Sequence, residues 1–274
     1  MPELPEIEVL RRSLVPGLAG QRIVAVEVAN RALREPVDGR RLRRLLPGRR
    51  IEGLRRRAKY LLIDLDGGLT LVVHLGMSGR LTLAPRGAPR EPHEHVTFQL
   101  ASGRRLRFRD PRRFGLILLA PTDRLASDPH FARLGIEPLE DGFDGSRLAA
   151  AARGRRGPIK SFLMDSRMVV GVGNIYANEA LFAAGIHPGR SVARLSATRW
   201  QRLAEAVVAT LARAIAEGGT TLNDFADGVG NPGEFQVALA VYEREGEACR
   251  RCGGRVRRAV HAGRSTYYCP ACQR

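Results

Sequence analysis

Residues 59–76 read KYLLIDLDGGLTLVVHLG, two apolar runs of strand length on either side of Asp66-Gly67-Gly68. Glycine reaches positive φ without a Cβ clash, so Asp-Gly-Gly between two such runs predicts a β-hairpin. HVTFQLASGRRLRFRD, residues 95–110, repeats the arrangement around Ser102-Gly103, and GLILLA, residues 115–120, adds a further strand. Upstream, RIVAVEVAN, residues 22–30, sets Val24, Val26 and Val28 at period two. One helix precedes it. Ile7, Leu10 and Leu14 recur at helical spacing, Pro5 suits a first turn, and Pro16-Gly17 is expected to end the helix. Residues 1–130 therefore read as an antiparallel β-sandwich with a flanking helix.

The period changes after Pro121. Turn formers crowd residues 121–145, which predicts a linker. Over 196–217, Leu203, Val207, Leu211 and Ile215 form one helical stripe, with Ser196 as cap and Gly218-Gly219 as stop. The loop TTLNDFADGVGNPGEFQ, residues 220–236, has a length that is functional or unstructured more often than architectural. The fold class is α+β, with a sandwich at 1–130, a helical domain at 131–240 and a small terminal module at 241–274.

That last module holds all four cysteines. Cys249 and Cys252 form one Cys-x2-Cys pair, Cys269 and Cys272 another, and sixteen residues separate the pairs. The spacing suits a hairpin that brings four thiolates onto one tetrahedral zinc. Four protein ligands leave no open position, so the zinc is expected to be structural. Two disulfides or four unrelated thiols are the alternatives, and a cytosolic chain disfavours the disulfides.

The 274 residues carry 45 Lys+Arg against 28 Asp+Glu, a net charge of +17. A field of that sign attracts polyanions, and nucleic acid is the expected partner. Only Lys59 and Lys160 are lysines, so both are easily tested as amine nucleophiles. No apolar run approaches the ~20 residues that span a bilayer. Glu3, Glu6 and Glu8 occupy the start where a signal peptide is basic. The expectation is a soluble cytoplasmic protein without a membrane partner.

Three motifs have room for chemistry. In MVVGVGNIYANEALF, residues 168–182, Gly171 and Gly173 lead into Asn174, which is either an anion site at a helix start or an ordinary turn with an Asn cap. HLGMSG, residues 74–79, and RDPRRFG, residues 109–115, follow strands. Side chains at such tips can wedge between bases, but pattern alone favours Met77 and Phe114 as core and Arg112 as a solvated charge. In MPELPE, residues 1–6, removal of Met1 leaves a proline amine whose pKa, near ~8, keeps part of it neutral and nucleophilic. Such an amine can form an imine at a sugar C1′, with Glu3 and Glu6 beside it as proton carriers. The plain alternative is two acids favoured by the helix dipole.

Taken in order, MPELPE, KYLL, HLGMSGRL, RDPRRFG, GVGNIYANEALF, GGTTLNDF and GRSTYYCPACQ resemble the motifs of the bacterial formamidopyrimidine-DNA glycosylases over nearly the full length. The resemblance implies a β-sandwich domain, a helix-two-turn-helix domain and a C-terminal zinc finger, with DNA between the domains. It implies a bifunctional glycosylase/AP lyase of base excision repair. That enzyme acts as a monomer on double-stranded DNA holding an oxidised purine (8-oxoguanine, formamidopyrimidines) or an abasic site, and is associated with the nucleoid. Pro2 would be the nucleophile, Glu3 the proton donor, and Lys59 a catalytic and phosphate-binding group. His74, Asn174, Tyr242 and Arg264 would grip phosphates. Met77, Arg112 and Phe114 would fill the gap left by the flipped nucleotide, which reverses their pattern-only reading. Glu6, Thr220 and Thr221 would line the base pocket. Ser166 stands where the family commonly has glutamine, and Ser78 and Thr220 lie at variable positions. A sister enzyme for oxidised pyrimidines typically begins Pro-Glu-Gly-Pro and lacks the Met/Arg/Phe set. A non-catalytic DNA binder is expected to lose Pro2 or Glu3.

Overall fold

Gly67 and Gly68 both take positive φ, 74° and 70°. They join strands that pair from Tyr60↔His74 to Leu65↔Leu69. The structure is a computed structural model and describes residues 2–29, 32–220, 227–228 and 235–274. Contacts divide the chain into two units, Met1–Ala132 with Glu217–Gln236, and Arg133–Ala216 with Val237–Arg274.

The first unit holds α1 (Leu4–Leu18), β1 (Ile23–Val28), α2 (Gly39–Leu45), β2 (Ile51–Arg57), β3 (Tyr60–Leu65), β4 (Leu69–His74), β5 (Arg80–Ala84), β6 (Glu94–Leu100), β7 (Arg105–Arg109) and β8 (Leu116–Pro121). Among the described residues the strands form two four-stranded antiparallel sheets, in the orders β1-β6-β7-β5 and β2-β3-β4-β8. Val26, Val96, Phe98 and Phe108 of one sheet share a core with Leu54, Leu61, Ile63 and Val73 of the other. Ile7, Leu10 and Leu14 of α1 complete it. This is the expected sandwich with its flanking helix.

α1 corrects one expectation, because it runs through Pro16 to Leu18. The missing N–H of Pro16 costs a single helical bond. Ala19 N–H still reaches the Val15 carbonyl at 3.0 Å, and burial of Leu14 and Leu18 holds the last turn on the core.

The second unit holds α3 (Gly145–Ala151), α4 (Ile159–Met164), α5 (Asn174–Ala184), α6 (Ala197–Ala216), β9 (Arg257–His261) and β10 (Arg264–Tyr268). α6 has its expected stripe of Leu203, Val207, Leu211 and Ile215 buried. Ser196 Oγ accepts from Arg199 N–H at 3.3 Å as its cap. Two turns join α4 to α5. Met168 N–H bonds the Asp165 carbonyl at 2.8 Å, and the chain then bends through Gly171 at φ 79°. β9 and β10 meet at Ala262-Gly263, φ 48° and 72°, which is the backbone sign of a tight hairpin.

Candidate functional site

In the first unit the chain start is built into the fold. Pro2, Glu3 and Glu6 are all buried. Glu6, in the first turn of α1, accepts from Glu3 N–H at 2.7 Å and, through its other oxygen, from Thr220 N–H at 2.9 Å. One carboxylate thus fixes the backbone beside Pro2 and the first residue of the 220–236 loop together. Thr221 and most of that loop lie outside the described residues, as does Met1.

Lys59 follows Ala58, a non-glycine residue at φ 53°, whose carbonyl accepts from Arg56 Nη1 at 3.1 Å. His74 ends β4 across from Tyr60, with ring centroids 4.9 Å apart. Burial first, and then the charges of Arg34, Lys59 and His130, push its pKa down to about 3. Its Nδ1 accepts from Gly76 N–H at 2.9 Å, so the ring's proton sits on Nε2. His74 is therefore a neutral ring whose Nε2–H is available as a donor.

The two loop tips overturn the pattern-only reading of Met77 and Phe114, while Arg112 is exposed as that reading had it. Met77 and Phe114 are 40% and 47% exposed and belong to no core. The Arg112 guanidinium lies 5.1 Å from the centre of the Phe114 ring. Sequence reasoning passed over the residues beneath them. Asp110 is fully buried and accepts from Ser78 Oγ and from Gly115 N–H, both at 2.7 Å. An acid just after a strand and before a Pro-Arg-Arg turn was the available signal.

The second unit presents Asn174, Tyr242, Arg264 and the four cysteines. Asn174 opens α5, and its side-chain oxygen is buried with no hydrogen-bond partner among the described residues. Two further polar residues of this mostly apolar helix were not singled out. Asn178 Oδ1 accepts from Tyr267 N–H at 2.9 Å. Glu179 accepts from three successive N–H groups, those of Ala240, Val241 and Tyr242, at 2.8–2.9 Å. Burial still raises the Glu179 pKa against those three bonds. Together they hold the Tyr242 backbone and the zinc-module hairpin onto α5. Arg264 is exposed at the start of β10.

Lys160 is not an available nucleophile. It is 1% exposed, and its Nζ donates to the Ser265 carbonyl and Thr266 Oγ1, each at 2.8 Å. Its amine is used to anchor β10.

All four cysteine sulfurs lie within 4.8 Å of one another. Cys249–Cys272 is 3.9 Å and Cys252–Cys269 is 3.5 Å. A zinc with four Zn–S bonds of about 2.3 Å needs sulfurs about 3.8 Å apart, and the set fits one structural zinc. With no cation among them, burial and the neighbouring thiols push Cys272 up to about 12, so all four become thiolates only around a metal. Four thiolates in one place require a cation to neutralise them.

Three family models match the chain in succession. They are the formamidopyrimidine-DNA glycosylase N-terminal domain at residues 1–117, its H2TH domain at 134–226, and a zinc finger found in FPG and IleRS at 246–274. The formamidopyrimidine-DNA glycosylase of Methylococcus capsulatus is 50% identical over 276 residues, covering all of both chains. The chain belongs to the formamidopyrimidine-DNA glycosylase family. Two solved structures of Lactococcus lactis Fpg share its fold at 34% identity and a TM-score of 0.92. One is a mutant bound to Fapy-dG containing DNA, and both chains are covered in full. The other is bound to abasic site containing DNA, with 99% of each chain covered. No helix among the described residues is long and apolar enough to cross a membrane.

Proposed function

We propose that the chain is a bifunctional DNA glycosylase/AP lyase that removes 8-oxoguanine and formamidopyrimidines from duplex DNA. The observation that carries this reading is the buried chain start, where Glu6 ties the Glu3 backbone to Thr220. A frayed terminus has no such anchor. The Fapy-dG and abasic DNA in the related Lactococcus complexes supports the substrate class.

The Pro2 nitrogen lone pair bonds to C1′ as the C1′–N9 bond breaks, and the purine leaves with a proton. Glu3 protonates the ring oxygen, and the opened sugar becomes an iminium on Pro2. Loss of a C2′ proton expels the 3′ phosphate, and a second elimination expels the 5′ phosphate. Water then releases the sugar fragment and restores the amine. Lys59, Asn174, Tyr242 and Arg264 hold phosphates, with His74 as an uncharged N–H donor. Met77, Arg112 and Phe114 occupy the space of the extruded nucleotide, which costs a few kcal/mol to unstack. The zinc holds the hairpin that carries Arg264 and takes no part in the bond changes. The protein works as a monomer, in a bacterial cytoplasm at the nucleoid.

The test is a labelled duplex with 8-oxoguanine opposite cytosine. The expected products are the free base and a one-nucleotide gap with phosphate on both sides. Excision from an oxidised-pyrimidine duplex with the purine lesion left intact overturns the substrate assignment.

A further inference from the structure

Met77, Arg112 and Phe114 stand on two different turns, yet one buried carboxylate reaches both. Asp110 Oδ1 accepts from Ser78 Oγ at 2.7 Å, and Oδ2 accepts from Gly115 N–H at 2.7 Å. Ser78 Oγ in turn accepts from Arg112 N–H at 3.3 Å. The Asp110 carbonyl lies 2.7 Å from His95 Nε2, itself buried, so the base of the connection is also fixed. Ser78 is the next residue after Met77, and Gly115 the next after Phe114. The two turns also touch directly, since a Cβ at Gly76 would collide with the Phe114 main chain. Each exposed side chain is thus within one residue of a bond that leads to Asp110 or to Ser78.

We propose that Asp110 and Ser78 are positioning residues that hold Met77, Arg112 and Phe114 in one arrangement before DNA arrives. This rests on the reading that those three fill the gap left by the flipped nucleotide. Three side chains can enter a base stack together only if their relative places are set. Any ordering left until binding is subtracted from the stability of the flipped state. Asp110 and Ser78, at 0% and 5% exposed, supply that order from inside the fold.

A double-mutant cycle tests the proposal on the full-length zinc-loaded protein. Ser78→Ala deletes the hydroxyl that joins Asp110 to Arg112 N–H, with little change in volume. Excision from 8-oxoguanine opposite cytosine is expected to lose roughly tenfold in kcat/KM, about the effect of one charge-assisted hydrogen bond. Cleavage of a preformed abasic site, with no base to unstack, is expected to lose much less. With Phe114→Ala already present, Ser78→Ala is expected to cost markedly less than alone, because its effect runs through the wedge. An equal loss in both backgrounds, or on both substrates, overturns the positioning role and leaves Ser78 a stabilising contact. No loss on Ser78→Ala while Phe114→Ala is impaired also overturns it, and leaves the gap-filling reading intact. No loss on Phe114→Ala removes the gap-filling reading, and the inference falls with it.

Discussion

The two units secure their exposed groups by similar buried polar contacts, but the sandwich of the first and the terminal hairpin of the second stand on different foundations. In the first, Glu6 and Asp110 are buried carboxylates that fix backbone N–H groups around the chain start and the two loop tips. They sit on a sandwich whose apolar core extends through both sheets and α1. In the second, Glu179, Asn178 and Lys160 do the fixing. The cluster beneath the hairpin is small, and Cys249 and Cys269 are themselves part of it. A core that small is expected to need its metal as well as these bonds to hold the hairpin. The chemistry is therefore expected to stand on apolar packing and the grip on zinc, so that the two can be lost separately.

The largest effect belongs to the first unit alone. Glu3→Gln is expected to lower excision about 10²- to 10⁴-fold, the range for a general acid–base group. DNA affinity, measured by fluorescence anisotropy, is expected to stay within a few-fold of the original. Glu3 also forms a capping box with Glu6 at the start of α1, and a parallel loss of affinity would mean that this is its only role.

Removing zinc breaks the comparison from the other side. Chelation, or Cys269→Ser, is expected to weaken DNA binding on the order of a hundredfold, the loss of the two charge-assisted phosphate contacts proposed for Tyr242 and Arg264. The sandwich is expected to keep its own melting transition in calorimetry. A single merged transition at lower temperature would show that the two units do not fold independently. Arg264→Ala is a milder form of the same test. It is expected to reduce the slope of log affinity against log salt by about one.

Lys160→Met sharpens the comparison within the second unit. It leaves the Ser265 carbonyl and Thr266 Oγ1 without their buried donor, and is expected to cost roughly 2 kcal/mol in urea unfolding of that unit. Trapping on abasic DNA is expected to be unaffected.

The last contrast is one of pH, and it lies inside the first unit. The folded pKa of His74 is lowered, so between the ordinary histidine value and about 3 the unfolded chain binds a proton that the folded one refuses. Stability is lost as pH falls through that window, by at most about 1.4 kcal/mol per unit. His130 has the opposite sign. Burial works against its protonation, but Glu35 and Asp128, each 2.8 Å from a ring nitrogen, raise its pKa. Its contribution is complete below the ordinary value and is lost as pH rises through the folded one. NMR titration is expected to find His74 silent between pH 5 and 8 and His130 titrating above an exposed histidine. Protonation of His74 near pH 6 would remove the neutral-donor assignment.

The strands and the long helix were legible because their signals are local. Asp66-Gly67-Gly68 encodes a turn, and Leu203, Val207, Leu211 and Ile215 encode a face. The four cysteines were legible for a similar reason, since spacing alone makes them one site. Met77 and Phe114 were misread from pattern because an apolar side chain that is wanted outside looks the same as one wanted inside. The fastening residues were invisible for a different reason. Asp110, Asn178 and Glu179 act on backbone N–H groups, which have no letter in the sequence. Their partners, Gly115, Tyr267 and Val241, are set by tertiary structure. Pro16 misled because one missing hydrogen bond is outweighed by burial of Leu18.

The most direct test of the account is borohydride trapping on duplex DNA with 8-oxoguanine opposite cytosine, followed by peptide mass spectrometry of the adduct. The account predicts a single cross-link on the nitrogen of Pro2. A cross-link on Lys59, or no cross-link on either this duplex or abasic DNA that the protein still binds, would contradict it.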